Sequence, residues 1–141
     1  MAELRRRMIL EIDGQDFDLL HPGWRERFVE FFGGHLKAKD GQSFVAEGDG
    51  NLVGTSAVYK LPTHRSRITL RDSAYICNVW VDPAWRRRGI ARALTLAAVD
   101  WAKANGCEVV RLRTSKMGRP VYEGIGFVRT DELELRLAER C

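Results

Sequence analysis

The chain has 141 residues, 45% hydrophobic and 30% charged, with a formal net charge of +4. That length predicts one domain spanning residues 1–141 around one core, and the balance excludes a disordered chain. No apolar run approaches the ~20 residues of a membrane span and no secretory h-region follows the charged start, so a cytoplasmic protein without membrane association is expected. The positive charge is concentrated at Arg5, Arg6, Arg7 and Arg86, Arg87, Arg88 without a helix-turn-helix, zinc or RNA-binding signature, and no nucleic-acid partner is expected.

Leu4, Met8, Ile9 and Ile12 recur at helical spacing and predict a helix over 2–13, interrupted from Gly14. A second helix is predicted from Pro22 through Lys39, with Trp24, Phe28, Phe31, Phe32 and Leu36 on one face and a weak middle at Gly33 and Gly34. Residues 43–47 and 52–61 read as two strands of a hairpin joined by Gly48, Asp49, Gly50 and Asn51. A polar loop over 62–72 follows, and 73–81 is the most apolar strand, stopped by Asp82 and Pro83. Ala93, Leu94, Ala97 and Trp101 give the stripe of a helix from Ile90 to Asn105, and Gly106 ends it. Then come a strand at 108–113, a short helix at 119–123 and a closing strand at 127–137. A hairpin followed by strand, crossover helix and strand predicts an α/β fold with a mixed central sheet and helices on both faces.

Cys77, Cys107 and Cys141 are odd in number and lack a C-x-x-C spacing, so they read as reduced thiols, and no metal site is expected. The chemistry concentrates instead at Arg86, Arg87, Arg88, Gly89, Ile90, Ala91 and Arg92, where the apolar strand turns into the long helix. Arginines at a helix N-terminus add positive charge to the positive end of the macrodipole, costing about 0.3–1 kcal/mol each. A bound anion reverses that cost, because free N–H groups after a glycine turn form a phosphate cradle and arginine suits phosphate oxygens. Small Ala91 leaves the anion room.

These residues resemble the cofactor signature of the GNAT superfamily of acyl-CoA-dependent N-acetyltransferases, Q/R-x-x-G-x-G/A, matched at Arg86, Gly89 and Ala91 after Val81, Asp82 and Pro83. A second family element, a tyrosine followed four residues later by Gly-Phe, is matched by Tyr122, Gly126 and Phe127. The resemblance covers about residues 43–137 and thins before them. Members usually begin with a strand, whereas this chain opens on a helix, so the first strand is expected to be missing; the sheet edge this leaves would favour a homodimer.

The resemblance implies a GNAT-type domain that transfers an acetyl group from acetyl-CoA to a small-molecule or peptide amine by direct attack. N–H groups from about Arg87 to Arg92 would hold the pyrophosphate. The backbone of Val79, Trp80 and Val81 would pair with the pantetheine amides, and Ser115 and Gly118 would contact the same arm. Tyr122 is the implied general acid, since a phenol of reference pKa about 10 stays protonated at neutral pH and can donate to the departing thiolate. The family's glutamate base has no counterpart in the apolar strand, which leaves Glu123, Glu47 or His64 acting through water. Trp24, Phe28, Phe31 and Phe32 are either core or the lining of an acceptor pocket, and Trp85 is placed to cover the adenine end. A non-catalytic acyl-CoA sensor or interaction module is the alternative reading.

Overall fold

The computed structural model describes residues 2–61 and 72–137; of the loop predicted at 62–72, residues 62–71, with His64, lie outside them, and Asp72 is already in a strand. Helix α1 spans Ala2–Asp13, α2 Phe17–Leu20 and α3 Trp24–Ala38; strands β1 Gly41–Gly48, β2 Asn51–Leu61 and β3 Asp72–Val81 follow. A 3-10 turn at Pro83–Trp85 leads into α4 Ile90–Ala104, then β4 Cys107–Leu112 and α5 Arg119–Ile125. The sheet order is β1-β2-β3-β4, antiparallel up to β3 and parallel between β3 and β4. This is the mixed sheet expected, with α4 on one face and α1 and α3 on the other. No strand precedes α1 among the described residues.

The hairpin turn is tighter than the sequence suggested. Gly48 pairs with Asn51, so Asp49 and Gly50 alone make the turn, both at positive φ as a two-residue connection with right-handed strand twist requires. Helix α3 runs unbroken through Gly33 and Gly34, because contacts at Phe28–Phe32 and Phe31–His35 bind the turns on either side. The short α2 was not foreseen. It forms where Asp16 caps the N–H of Asp18.

The predicted closing strand at 127–137 is absent. Leu133, Leu135 and Leu137 alternate with polar residues as a strand would, but stand 65% exposed or more with no ladder partner. Alternation sets which face a strand buries; it does not supply the neighbour whose hydrogen bonds make a strand. An Arg113–Glu134 ion pair joins this segment to the residue after β4.

The core lies between the sheet and α4, where Val58, Ala74 and Ile76 meet Ala98 and Ala102, with Val79, Val110 and Phe127 packed around them. Two alanines at the helix contact let α4 sit close to β2 and β3. Ile76 is only 2% exposed, and Ile76→Ala should lower the free energy of unfolding by about 2–5 kcal/mol, read from urea denaturation. No helix among the described residues is long and apolar enough to cross a membrane.

Candidate active site

Strands β3 and β4 are paired from Asp72↔Cys107 to Ile76↔Leu112, and there β4 ends. Residues 77–81 continue with β2 on one side only. Among the described residues the side toward β4 has no ladder partner, which leaves it open at the carboxyl ends of two parallel strands, the position at which α/β folds hold ligands.

A bulge marks the same point. Thr55 pairs with Trp80 and Ala57 with Cys77, so two residues of β3 oppose Ser56 alone, and Asn78 takes φ 54°. Before the bulge Ala74 and Ile76 face α4. After it the alternation slips by one, so Val79 packs toward α4 while Asn78 and Trp80 contact α1. The sequence showed no sign of this beyond the tolerance of asparagine for left-handed backbone.

The turn after β3 is held by α1. Arg86 donates from Nε to the Val81 carbonyl at 3.0 Å and pairs with Glu11 at 2.6 Å. Glu11 also accepts from Trp80 Nε1 at 3.1 Å. Arg7 pairs with Asp82 at 2.6 Å and lies over the Trp80 ring at 4.7 Å, and Asp82 accepts from the Ala84 N–H. The side chains of Arg86 and Trp80 are therefore committed to shaping the turn. No local pattern marks this clamp, because Glu11 lies 75 positions from Arg86.

Hydrogen bonding from Arg86, then from Trp80, holds the Glu11 carboxyl below its ordinary value of 4.5 despite the opposing effect of burial. A depressed carboxyl adds stability above the unfolded-state pKa and loses it as pH falls through the folded one. Glu11→Gln should accordingly flatten the fall of melting temperature below about pH 4.5, measured by thermal denaturation across pH 3–6.

Beyond the clamp the backbone opens. Arg87 and Gly89 both adopt left-handed φ, 63° and 77°, and Gly89 caps α4 without any side-chain acceptor. The first N–H groups of α4 thus point into space that no capping side chain fills, and nothing lies within 4 Å of where a Gly89 Cβ would be. Arg87, Arg88 and Arg92 are exposed beside them, Arg88 over the Trp85 ring at 4.7 Å. Trp85 lies against Gly48 of the hairpin.

Tyr122 sits on α5, which packs against α4. Its ring meets Phe127 edge-on at 6.0 Å, and it is 9% exposed. Its hydroxyl makes no hydrogen bond among the described residues. Burial pushes its pKa above the ordinary 10.0, so the phenol keeps its proton across the neutral range. Ser115 accepts from the Gly118 N–H at 3.2 Å, and a Cβ at Gly118 would approach the Tyr122 ring to 3.1 Å and Thr114 Oγ1 to 3.2 Å. Ser115 and Gly118 thus shape the connection that carries Tyr122.

Of the suggested bases, His64 lies outside the described residues. Glu47 and Glu123 are exposed on β1 and α5. Cys77 borders the opening, but burial pushes its thiol up to about 11, outweighing the nearby Arg5 charge, so it is neither base nor thiolate. The aromatic residues of α3 form a continuous layer over the sheet through Phe31–Tyr59 at 5.4 Å and Tyr59–Tyr75 at 5.8 Å. A cleft of about 450 Å³ lies between α1, the hairpin turn and Trp85, apart from the β3–β4 opening. No group of three or more metal-ligating side chains occurs among the described residues.

Chemically, the arrangement can hold an anion on free N–H groups, pair an extended polar chain along residues 77–81, and present a protonated phenol. The model of the Acetyltransferase (GNAT) family matches residues 6–127. The chain is 31% identical over 96 residues to the glucosamine 6-phosphate N-acetyltransferase of Trypanosoma brucei brucei, covering 67% of this chain and 62% of that enzyme's length. It is 25% identical over 109 residues to the aminoglycoside N(6')-acetyltransferase type 1 of Salmonella typhimurium, covering 75% and 74% of the two chains. Among solved structures it resembles a predicted acetyltransferase with acetyl-CoA from Clostridium acetobutylicum, with TM-score 0.79, 27% identity and coverage of 99% and 89%. A GCN5-related N-acetyltransferase from Ralstonia eutropha gives TM-score 0.81 at 25% identity, covering 97% and 90%.

Proposed function

The chain belongs to the acetyltransferase (GNAT) family, and from that premise we propose that it transfers an acetyl group from acetyl-CoA to a primary amine by direct attack. The observation that carries the reading is the parting of β3 from β4 beside an uncapped α4 N-terminus. Acetyl-CoA fits these residues, since the free N–H groups call for an anion and the open side of 77–81 calls for a chain with amides. Bound there, it supplies an acetyl group activated as a thioester.

The protein's part is positioning and proton supply. N–H groups of residues 87–92 hold the pyrophosphate, with Arg87, Arg88 and Arg92 adding charge, while Arg86 fixes the turn through Glu11 and Val81. The backbone of Val79, Trp80 and Val81 aligns the pantetheine arm, and an N–H near Val79 faces the carbonyl oxygen as it gains negative charge. Ser115 and Gly118 border the same arm. Tyr122 gives its proton to the departing sulfur. The protonated state of Cys77 supports attack by the amine itself without an acyl-enzyme. The amine sheds its proton to water, no carboxylate standing on β3 within residues 73–81.

That same absence favours the second reading, an acyl-CoA-binding module without catalysis. Calorimetry with acetyl-CoA, followed by release of free CoA thiol across a panel of amines, tests both. Micromolar binding with amine-dependent release supports transfer; binding without release supports the sensor; loss of both removes the family reading of this site.

A further inference from the structure

The arginines of α1 and of the turn after β3 fall into two classes. Arg6 pairs with Asp16 at 2.7 Å, Arg7 with Asp82 and Arg86 with Glu11, each on a carboxylate. Arg5 has no carboxylate among the described residues. Its guanidinium donates to Oδ1 of Asn78 and lies 5.5 Å from the centre of the Phe28 ring. Burial pushes its pKa below the usual arginine value, the mark of a cation removed from water without a counter-ion.

Asn78 is 5% exposed. With Oδ1 accepting from Arg5, the amide must turn Nδ2 the other way, and that atom is buried without an acceptor among the described residues. Flipping the amide would set two donors against each other, so the orientation is fixed by chemistry. Thr55 Oγ1 is likewise buried without a partner. Thr55 lies on the face of β2 opposite Ser56, which bonds to Leu94 of α4, and so shares the α1 face with Asn78. Around Asn78 the face therefore holds an uncompensated cation, an unused N–H donor and a hydroxyl able to donate, while the carboxylate of Glu11 on the same face is taken up by Arg86 and Trp80. Cys77, next in the chain, is a neutral thiol and no counter-ion.

Buried donors left without acceptors are rare, and a buried cation without an anion rarer still. Here a fully buried unpaired donor and a partly buried cation without a carboxylate stand together at the bulge in residues 77–81, where the proposed transfer takes place. We propose that Arg5 and Asn78 form an anion-binding subsite for the acceptor, which is an amine carrying a carboxylate or phosphate group of its own. The inference rests on the acetyl-transfer reading for the location of the amine. It selects amino acids and amino-sugar phosphates over polyamines and neutral amines.

The test is calorimetric binding of matched pairs to the full chain saturated with free CoA, so that no turnover is needed. Free α-amino acids are paired with their amides, and hexosamine phosphates with the unphosphorylated hexosamines. At least one anionic member should bind about tenfold to a hundredfold more tightly than its neutral partner, the range expected for hydrogen bonds to a charged group. Arg5→Gln should abolish that preference while leaving CoA affinity unchanged. Asn78→Asp, which tolerates the left-handed backbone and gives Arg5 an internal carboxylate, should abolish it too. Preference confined to amino acids or to phosphates identifies the source of the anion. Equal binding of charged and neutral members, no binding by any member, or a preference that survives both substitutions overturns the subsite. Amine-dependent thiol release by the same protein would then still uphold acetyl transfer, whereas loss of CoA affinity itself would sink the parent reading.

Discussion

Tyr122→Phe should lower kcat by about 10² or more while leaving the Kd for acetyl-CoA and the melting temperature nearly unchanged. The size follows from the usual contribution of a positioned general acid, about 10²–10⁴-fold. Stability is spared because the phenyl ring that meets Phe127 and Gly118 remains, and the hydroxyl makes no hydrogen bond among the described residues that could be lost. The pH profile gives a second readout. Burial raises the Tyr122 pKa, so the protonated, active form persists above pH 10.0, and the alkaline fall in kcat should lie beyond that value. The residual activity of Tyr122→Phe should lack that alkaline limb. Equal losses in kcat and in thermal stability would instead make Tyr122 a packing residue.

Much of the fold was legible because burial follows period. The stripes of α3 and α4 and the apolar run of β3 appear within a few residues of where periodicity put them. Leu133, Leu135 and Leu137 show the limit of the same signal, since they carry a strand's alternation without a strand's neighbour. The turn before α4 was legible for a local reason: glycine at positive φ, small Ala91 and the arginines are contiguous in the chain. What escaped is long-range. The Glu11 clamp on Arg86 and Trp80 joins α1 to a turn some seventy residues later. The bulge at Asn78 escaped for another reason, that an inserted residue is defined by the register of the opposite strand and leaves no pattern in its own.

Ala91→Asp separates the needs of the helix from those of the ligand, because they have opposite signs at this position. In the first turn of α4 a carboxylate is welcomed by the macrodipole, by about 0.3–1 kcal/mol, which roughly offsets the lower helix propensity of aspartate. Unfolding stability should therefore change by less than about 1 kcal/mol. A pyrophosphate on the neighbouring N–H groups would meet the same carboxylate as a like charge. At about 5 Å and an effective dielectric near 20, one such pair repels by about 3 kcal/mol, or about two orders of magnitude in Kd. Acetyl-CoA affinity should fall about a hundredfold in calorimetry at low salt, and less at high ionic strength as the repulsion is screened. Ala91→Asn, of nearly the same size but uncharged, should lose far less. If asparagine weakens binding as much as aspartate, the site is limited by room rather than charge; if neither weakens it, the anion lies somewhere other than the α4 N-terminus. Only a sharp difference between the two matches a turn that Arg7, Glu11 and Arg86 hold open for a phosphate.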